Sequence, residues 1–91
     1  MDLKWTRRAQ GDLVRLHGFL DPVKPSAAAR VMHQLTAAPL RLLAHPRLGE
    51  RLEEFRPREV RRIFVGPYEA RYEIQAAHIV VLRLWHGRED R

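Results

Sequence analysis

The spacing of the apolar residues changes once along the chain, close to residue 59, and this change decides the kind of fold. Before it, apolar side chains recur every three or four residues, which is the spacing of an amphipathic helix. After it, β-branched and aromatic residues dominate three short segments, which is typical of strands. Helices followed by a run of strands predict an α+β domain, in which one sheet packs on a helix layer.

The first half of the chain predicts two helices. Thr6 is the expected N-cap of the first helix, and Ser26 of the second. The first helix should end at Asp21, because a residue before proline is pushed out of the α region. Pro39 should kink or restart the second helix. The apolar face of the first is Ala9, Leu13, Leu16 and Leu20, and that of the second is Ala28, Val31, Met32, Leu35, Ala38 and Leu42.

The second half predicts three strands, which follow a charged loop over residues 47–58. The strands are Val60 to Val65, Tyr68 to Ile74 and Ile79 to Trp85, and a short extended entry lies at residues 3–5. In the middle strand, Glu69, Arg71 and Glu73 share the face opposite the aromatic side chains. The predicted order is β-α-α-β-β-β, an antiparallel sheet packed on a helix hairpin in a single domain of residues 1–91.

The chain has 91 residues and a net charge of +6, which comes from 17 lysines and arginines against 11 aspartates and glutamates. Nearly all of the basic residues are arginines, whose planar donors suit phosphates and carboxylates alike. The charge therefore fits a nucleic acid or an acidic protein partner equally well. Cysteine is absent, which favours the reducing cytoplasm. The scattered histidines lack metal-ligand spacing, so neither a metal nor a cofactor is expected. No apolar run approaches the ~20 residues that span a membrane.

Several segments, taken in order, resemble the RelE/ParE toxin superfamily. They are Trp5-Thr6 with Ala9, Asp12 and Leu13; Ala44-His45-Pro46 with Leu48-Gly49; Val60 to Tyr68; Ala70 to Ile74; and Val81 to Glu89. The resemblance covers nearly the whole chain. It implies the toxin of a bacterial type II toxin–antitoxin pair, neutralised in the cytoplasm by a cognate antitoxin. A ribbon-helix-helix protein with a disordered tail is the expected antitoxin.

The resemblance leaves two targets open. RelE-like members cleave messenger RNA on the ribosome, whereas ParE-like members poison DNA gyrase without the nuclease residues. Cleavage requires proton transfer and positive charge at the scissile phosphate. His86 lies where cleaving relatives carry a histidine, and histidine titrates near neutral pH. The arginines that would supply positive charge are Arg62, Arg71, Arg83 and Arg88.

Two differences from the RNA-cleaving relatives favour the ParE-like branch. Glu69 stands where cleaving relatives carry an arginine, and a carboxylate there would repel a phosphate. No tyrosine follows His86. We therefore expect a non-enzymatic gyrase inhibitor. An endoribonuclease and a non-toxic antitoxin-binding module remain alternatives. In the simpler interpretation, Arg71 pairs with Glu69 or Glu73 across the sheet surface, and His86 bonds to the backbone.

An amphipathic antitoxin segment could cover apolar edges of so small a domain, and surrounding arginines would favour an acidic segment. The expected contacts are Leu13, Leu16, Leu20 and Val31 on the helix hairpin, with Arg61, Arg71 and Arg83 on the sheet.

Overall fold

The computed structural model describes residues 1–90, which form one sheet and a layer of two helices. The helices are α1, Arg7–Leu20, and α2, Pro25–Ala37. The strands are β1, Asp2–Trp5; β2, Glu50–Arg51; β3, Val60–Val65; β4, Tyr68–Ile74; and β5, His78–His86. Two 3₁₀ segments, Ala38–Leu43 and Glu53–Phe55, lie on either side of β2 in the chain. The predicted α+β class is confirmed.

Within residues 1–90 the sheet has the order β1-β5-β4-β3-β2. The three long strands form the predicted antiparallel meander, in which β4 pairs with both β3 and β5. The expectation of a wholly antiparallel sheet is corrected by β1, which pairs with β5 in parallel. Two neighbouring parallel strands need a long connection along the chain, and here all the other elements lie between β1 and β5 in the sequence. The sheet is therefore mixed, and β5 is an interior strand.

The helix boundaries follow local chemistry. Thr6 caps α1, since its hydroxyl accepts a hydrogen bond of 3.0 Å from the Ala9 N–H. Ser26 is not the cap of α2, because Lys24 holds that place and Pro25 is the first helical residue. Proline suits that position, because it has no N–H to satisfy and its φ is already helical. α2 ends at Ala37, and the chain continues through buried Pro39 as a 3₁₀ segment, as the predicted restart requires.

Residues 47–58 hold more structure than the predicted loop, because β2 adds a short strand beside β3. Gly49 allows this segment to lie close to β3, because a Cβ at residue 49 would be only 2.3 Å from the main-chain oxygen of Arg62. The buried Tyr72 hydroxyl accepts a hydrogen bond of 2.9 Å from the Gly49 N–H and donates one of 2.7 Å to the Pro46 carbonyl. A side chain of β4 thus holds this segment in place.

The helices cover one face of the sheet only. The core between the layers contains Ala9, Leu16, Leu35, Tyr68, Ala70, Val81 and Leu84, and a smaller cluster contains Leu42, Tyr72 and Ile79. A register shift between β4 and β5 pairs Arg71 with Arg83 but Tyr72 with Val81. Leu82 is therefore an extra residue of β5 with no counterpart on β4, and both Val81 and Leu84 point into the core. The other sheet face, which we call the open face, carries Arg62 of β3, the charged residues of β4, and Arg83 of β5.

No helix within residues 1–90 is both long and apolar enough to cross a membrane.

Candidate functional site

A stack of arginines and aromatic rings occupies the open face. The guanidinium carbons of Arg71 and Arg83 lie 4.7 Å and 4.9 Å from the centre of the Trp85 ring. Phe55, from the second 3₁₀ segment, lies 5.7 Å from the Arg71 guanidinium. Such cation–π contacts hold planar cations against rings. Arg71 and Arg83 therefore lie beside Trp85, and Arg62 lies opposite Arg71 on the neighbouring strand. We call Arg62, Arg71, Arg83 and Trp85 the open-face cluster.

Glu69 lies in the middle of this cluster, with only 1% of its surface exposed. Its carboxylate accepts a hydrogen bond of 2.9 Å from the Arg71 Nε and lies 3.7 Å from a terminal nitrogen of Arg62. Arg62 also donates a bond of 2.8 Å to Glu50. The predicted pairing of Arg71 with Glu69 is present. Since buried charges need partners, this carboxylate orients the arginines and partly neutralises them.

Asp12 is a second buried carboxylate, with 3% of its surface exposed. It accepts bonds of 2.8 Å from the Arg83 Nε and 2.8 Å from the Leu84 N–H, and it also pairs with Arg15. Burial raises the pKa of Asp12, but the hydrogen bonds from Arg83, Leu84 and Arg15 outweigh it and hold the pKa below the usual range. Asp12 thus joins α1 to β5 and sets the position of Arg83.

The apolar face predicted for α1 did not include Asp12, yet Asp12 is buried together with Ala9 and Leu16. Residues 9, 12 and 16 follow one another at spacings of three and four, so Asp12 shares the face of Ala9 and Leu16. That spacing was the available signal. It was overlooked because a charged residue is almost never fully buried unless it is paired.

Arg15 extends the network to the residues that follow β5. Its guanidinium donates bonds of 3.0 Å to the Leu84 carbonyl, and of 3.0 Å and 3.2 Å to the two carboxylate oxygens of Glu89. Glu89 also accepts a bond of 2.7 Å from the His86 N–H. Burial raises the pKa of Glu89, yet these hydrogen bonds outweigh it and lower the pKa overall. Arg15 therefore fastens residues 86–89 to α1.

His86 is not part of the open-face cluster. It pairs with Tyr68 in the sheet, and its ring packs edge to face against the Tyr68 ring at 5.1 Å, on the side that the helices cover. Its Nδ1 accepts a hydrogen bond of 3.0 Å from the main-chain N–H of Arg88, whose side chain is exposed. Arg62, Arg71 and Arg83 therefore lie on the opposite face of the sheet from His86, whereas the predicted Arg88 lines the same cavity as His86.

A cavity of about 340 Å³ adjoins the open-face cluster. Arg8, Arg58, Arg71 and Arg83 line it together with Phe55 and Trp85. Arg58 is bonded to Glu73 through two contacts of 3.0 Å. The lining combines cations with aromatic surface, which suits an acidic segment that carries an apolar side chain.

The predicted antitoxin contacts do not form one surface. Leu16 is only 2% exposed and packs in the core, so it offers no surface to a partner. Leu13 and Val31 are partly buried against the core, and Leu20 lines a separate cavity of about 210 Å³. Arg61 bonds to Glu59 at 2.9 Å and to the Gly49 carbonyl at 2.7 Å on the helix side. Of the predicted antitoxin contacts, only Arg71 and Arg83 belong to the open-face cluster.

In the part of the chain that the structure describes, no group of three histidines, aspartates or glutamates is arranged to hold a metal ion.

Comparison with known proteins shows the family. The model of the family described as "ParE toxin of type II toxin-antitoxin system, parDE" matches residues 3–91. Among solved structures, the chain is similar to one described as "Chromosomal ParDE TA system from P. aeruginosa", with a TM-score of 0.80 and 24% sequence identity over 94% of this chain and 95% of that one. A search of curated proteins finds no match. The match to the family model covers nearly the whole chain, and the chain therefore belongs to the ParE toxin family of type II toxin–antitoxin systems.

Proposed function

We propose that this chain is a toxin that inhibits DNA gyrase by binding it, cuts no RNA, and is neutralised in the cytoplasm by a cognate antitoxin. The observation that carries the choice between binding and cutting is the separation of His86 from Arg62, Arg71 and Arg83 by the thickness of the sheet.

RNA cleavage by attack of the 2′-hydroxyl needs a proton acceptor or donor within hydrogen-bond reach of the atoms that react. It also needs cations aimed at the charge that develops on the phosphate. His86 contacts Tyr68 on the covered side and cannot serve a phosphate held on the open face. On the open face itself, the carboxylate of Glu69 lies among the arginines and opposes the approach of a phosphate. Both features favour an inhibitor that acts through contact alone.

Neutralisation by an antitoxin is supported by charge and by the arginine-lined cavity of the open face. Arg71 and Arg83 are held in fixed positions by Glu69 and Asp12, while 25% of each arginine side chain stays exposed. Fixed, partly exposed guanidinium groups bind carboxylates at little cost in side-chain entropy. The similar solved structure from P. aeruginosa is described as a chromosomal ParDE toxin–antitoxin system. Leu13, Leu20 and Val31 remain proposed contacts on the hairpin.

The test uses the purified chain with DNA gyrase and relaxed plasmid. We expect inhibition of supercoiling with accumulation of cleaved gyrase–DNA complexes, and no codon-positioned cleavage of messages in a cell-free translation reaction. Arg83→Ala should weaken inhibition if the open face contacts gyrase. Arg30→Ala, at an exposed position of α2, is the matched control. Message cleavage without any effect on gyrase would overturn the proposal.

A further inference from the structure

A cavity of about 210 Å³ lies between the last turns of α1 and the paired residues Tyr68 and His86 of the sheet. Its apolar wall is formed by Leu16, Phe19 and Leu20 of α1. Leu16 is 2% exposed, whereas Phe19 is 63% exposed and offers its ring to solvent. A cavity of about 150 Å³ accommodates benzene, so this one has room for a ring that carries a short polar group.

Tyr68 brings a hydroxyl without a partner to this cavity. The residue is 6% exposed and lines the cavity, and no group within residues 1–90 bonds to its hydroxyl. Burial raises the pKa of Tyr68, and the negative charge of Glu89 raises it further, so the hydroxyl keeps its proton. A hydroxyl in apolar surroundings bonds an acceptor more strongly than one in open water, because the local dielectric is low. The Tyr68 hydroxyl is therefore a donor ready for a ligand.

His86 and Arg88 add further donors. The His86 Nδ1 accepts a hydrogen bond of 3.0 Å from the Arg88 N–H, so the Nε2 carries the proton of the neutral ring. The Arg88 side chain is exposed, and no carboxylate within residues 1–90 pairs with it. Glu89 also lines the cavity, but its oxygens already accept bonds from Arg15 and from the His86 N–H, and Arg15 compensates its charge. The polar side chains left for a ligand are therefore donors.

These groups select the chemistry of the ligand. Binding sites for small molecules are mostly apolar cavities with a few placed polar groups, and here those groups are donors beside an apolar wall. A carboxylate accepts hydrogen bonds through both oxygens and supplies the charge that the Arg88 guanidinium lacks. An amine would meet donors and a like charge. The ligand that fits is an apolar ring with an acidic group.

We propose that this cavity binds a small aromatic carboxylate. Its ring packs against the α1 wall and covers Phe19, and its carboxylate accepts hydrogen bonds from Tyr68 and Arg88. The site lies on the helix-covered side of the sheet, away from the open-face cluster. It therefore goes beyond the proposed action on gyrase and does not depend on it.

The probe is phenylacetate, titrated into the full, isotope-labelled chain and followed by amide chemical shifts. For a ligand of about ten non-hydrogen atoms we expect a Kd on the order of 1 mM, with the largest shifts at residues 86–89 and at the end of α1. Tyr68→Phe keeps the ring and should weaken binding about tenfold, because hydrogen bonds to charged groups are the stronger ones.

Arg88→Ala is a second variant, at an exposed position where no loss of folding is expected. It should weaken binding about threefold, since an exposed ion pair contributes less than a buried one. Arg30→Ala, at an exposed position of α2, is the matched control and should bind phenylacetate as the unaltered chain does.

A charge-reversed probe completes the test. 2-Phenylethylamine has the same ring with a cation in place of the carboxylate, and it should not bind. Binding of the amine as tightly as phenylacetate, no saturable binding of phenylacetate, or an unchanged affinity in either Tyr68→Phe or Arg88→Ala would overturn the proposal. Shifts centred on Arg71 and Arg83 would overturn it as well, because the carboxylate would then lie on the open face.

Discussion

Asp12 on α1 and Arg83 on β5 are joined by two hydrogen bonds, of 2.8 Å from the Arg83 Nε and 3.2 Å from a terminal nitrogen. Asp12→Asn removes the charge that compensates Arg83 and Arg15, and breaking one partner of a buried pair costs about 3 kcal/mol. We expect the free energy of unfolding, measured by urea denaturation, to fall by that order. Asp21→Asn, at the exposed end of α1, is the control and should change it little. An unchanged midpoint for Asp12→Asn would contradict the structural role of this carboxylate.

The same carboxylates predict acid sensitivity. The pKa values of Asp12 and Glu89 are lowered in the folded state, because the hydrogen bonds they accept outweigh burial, which by itself raises them. A lowered folded pKa contributes stability above the unfolded pKa of about 4, and that contribution is lost as the pH falls through the folded value. Thermal unfolding between pH 7 and pH 2.5 should therefore show a steep loss below pH ~4. The double variant Asp12→Asn with Glu89→Gln should be less stable at pH 7, and its melting temperature should change less between pH 7 and pH 2.5.

The Tyr72 hydroxyl holds residues 46–49 against β4. Tyr72→Phe leaves the Pro46 carbonyl and the Gly49 N–H without this partner, and an unsatisfied buried group costs about 1–3 kcal/mol. We expect a lower melting temperature, together with faster amide exchange in β2, which depends on this segment for its place. Tyr68→Phe is the matched control, since the structure shows no hydrogen-bond partner for the Tyr68 hydroxyl among residues 1–90. Equal losses in both variants would mean that the two bonds contribute little.

His86→Ala tests the proposed absence of nuclease chemistry. If the chain acts by contact with gyrase on the open face, growth arrest on induction should persist, since His86 lies on the covered side against Tyr68. Growth curves together with transcript mapping check this. The melting temperature of the variant should be recorded beside them, because the lost ring contact contributes about 1 kcal/mol. A fully folded His86→Ala chain that loses toxicity would favour the endoribonuclease.

Much of the fold follows from local patterns in the sequence. The alternation of Tyr68 to Ile74 predicts both faces of β4, and the interruption at Pro39 predicts the end of α2. The parallel pairing of β1 with β5 depends on contacts across the whole chain, which no local pattern contains. β2 is two charged residues held by Tyr72 and by a glycine, so it has no strand-like alternation of its own.

The candidate site was harder to predict than the fold. The arginines were identified, but the extra residue at Leu82 decides which side chains of β5 share a face. A shift of one residue reverses the faces of a strand. The burial of Asp12 and Glu69 was not predicted, because it is a property of the folded arrangement. In that arrangement Arg83 compensates Asp12, and Arg71 and Arg62 compensate Glu69.

The interior position of β5 has a consequence for the timing of folding during translation. β5 lies between β1 and β4 in space but follows both in the chain, with Asp2 paired to His78 across 76 positions. Closing contacts that far apart is slow. A nascent chain that still lacks residues 78–86 has no strand to join its first strand to its meander, and Asp12 and Arg15 have no partners on β5. The open face therefore cannot assemble until residues 78–86 have been synthesised, so the chain acquires its charged surface only as the last strand forms.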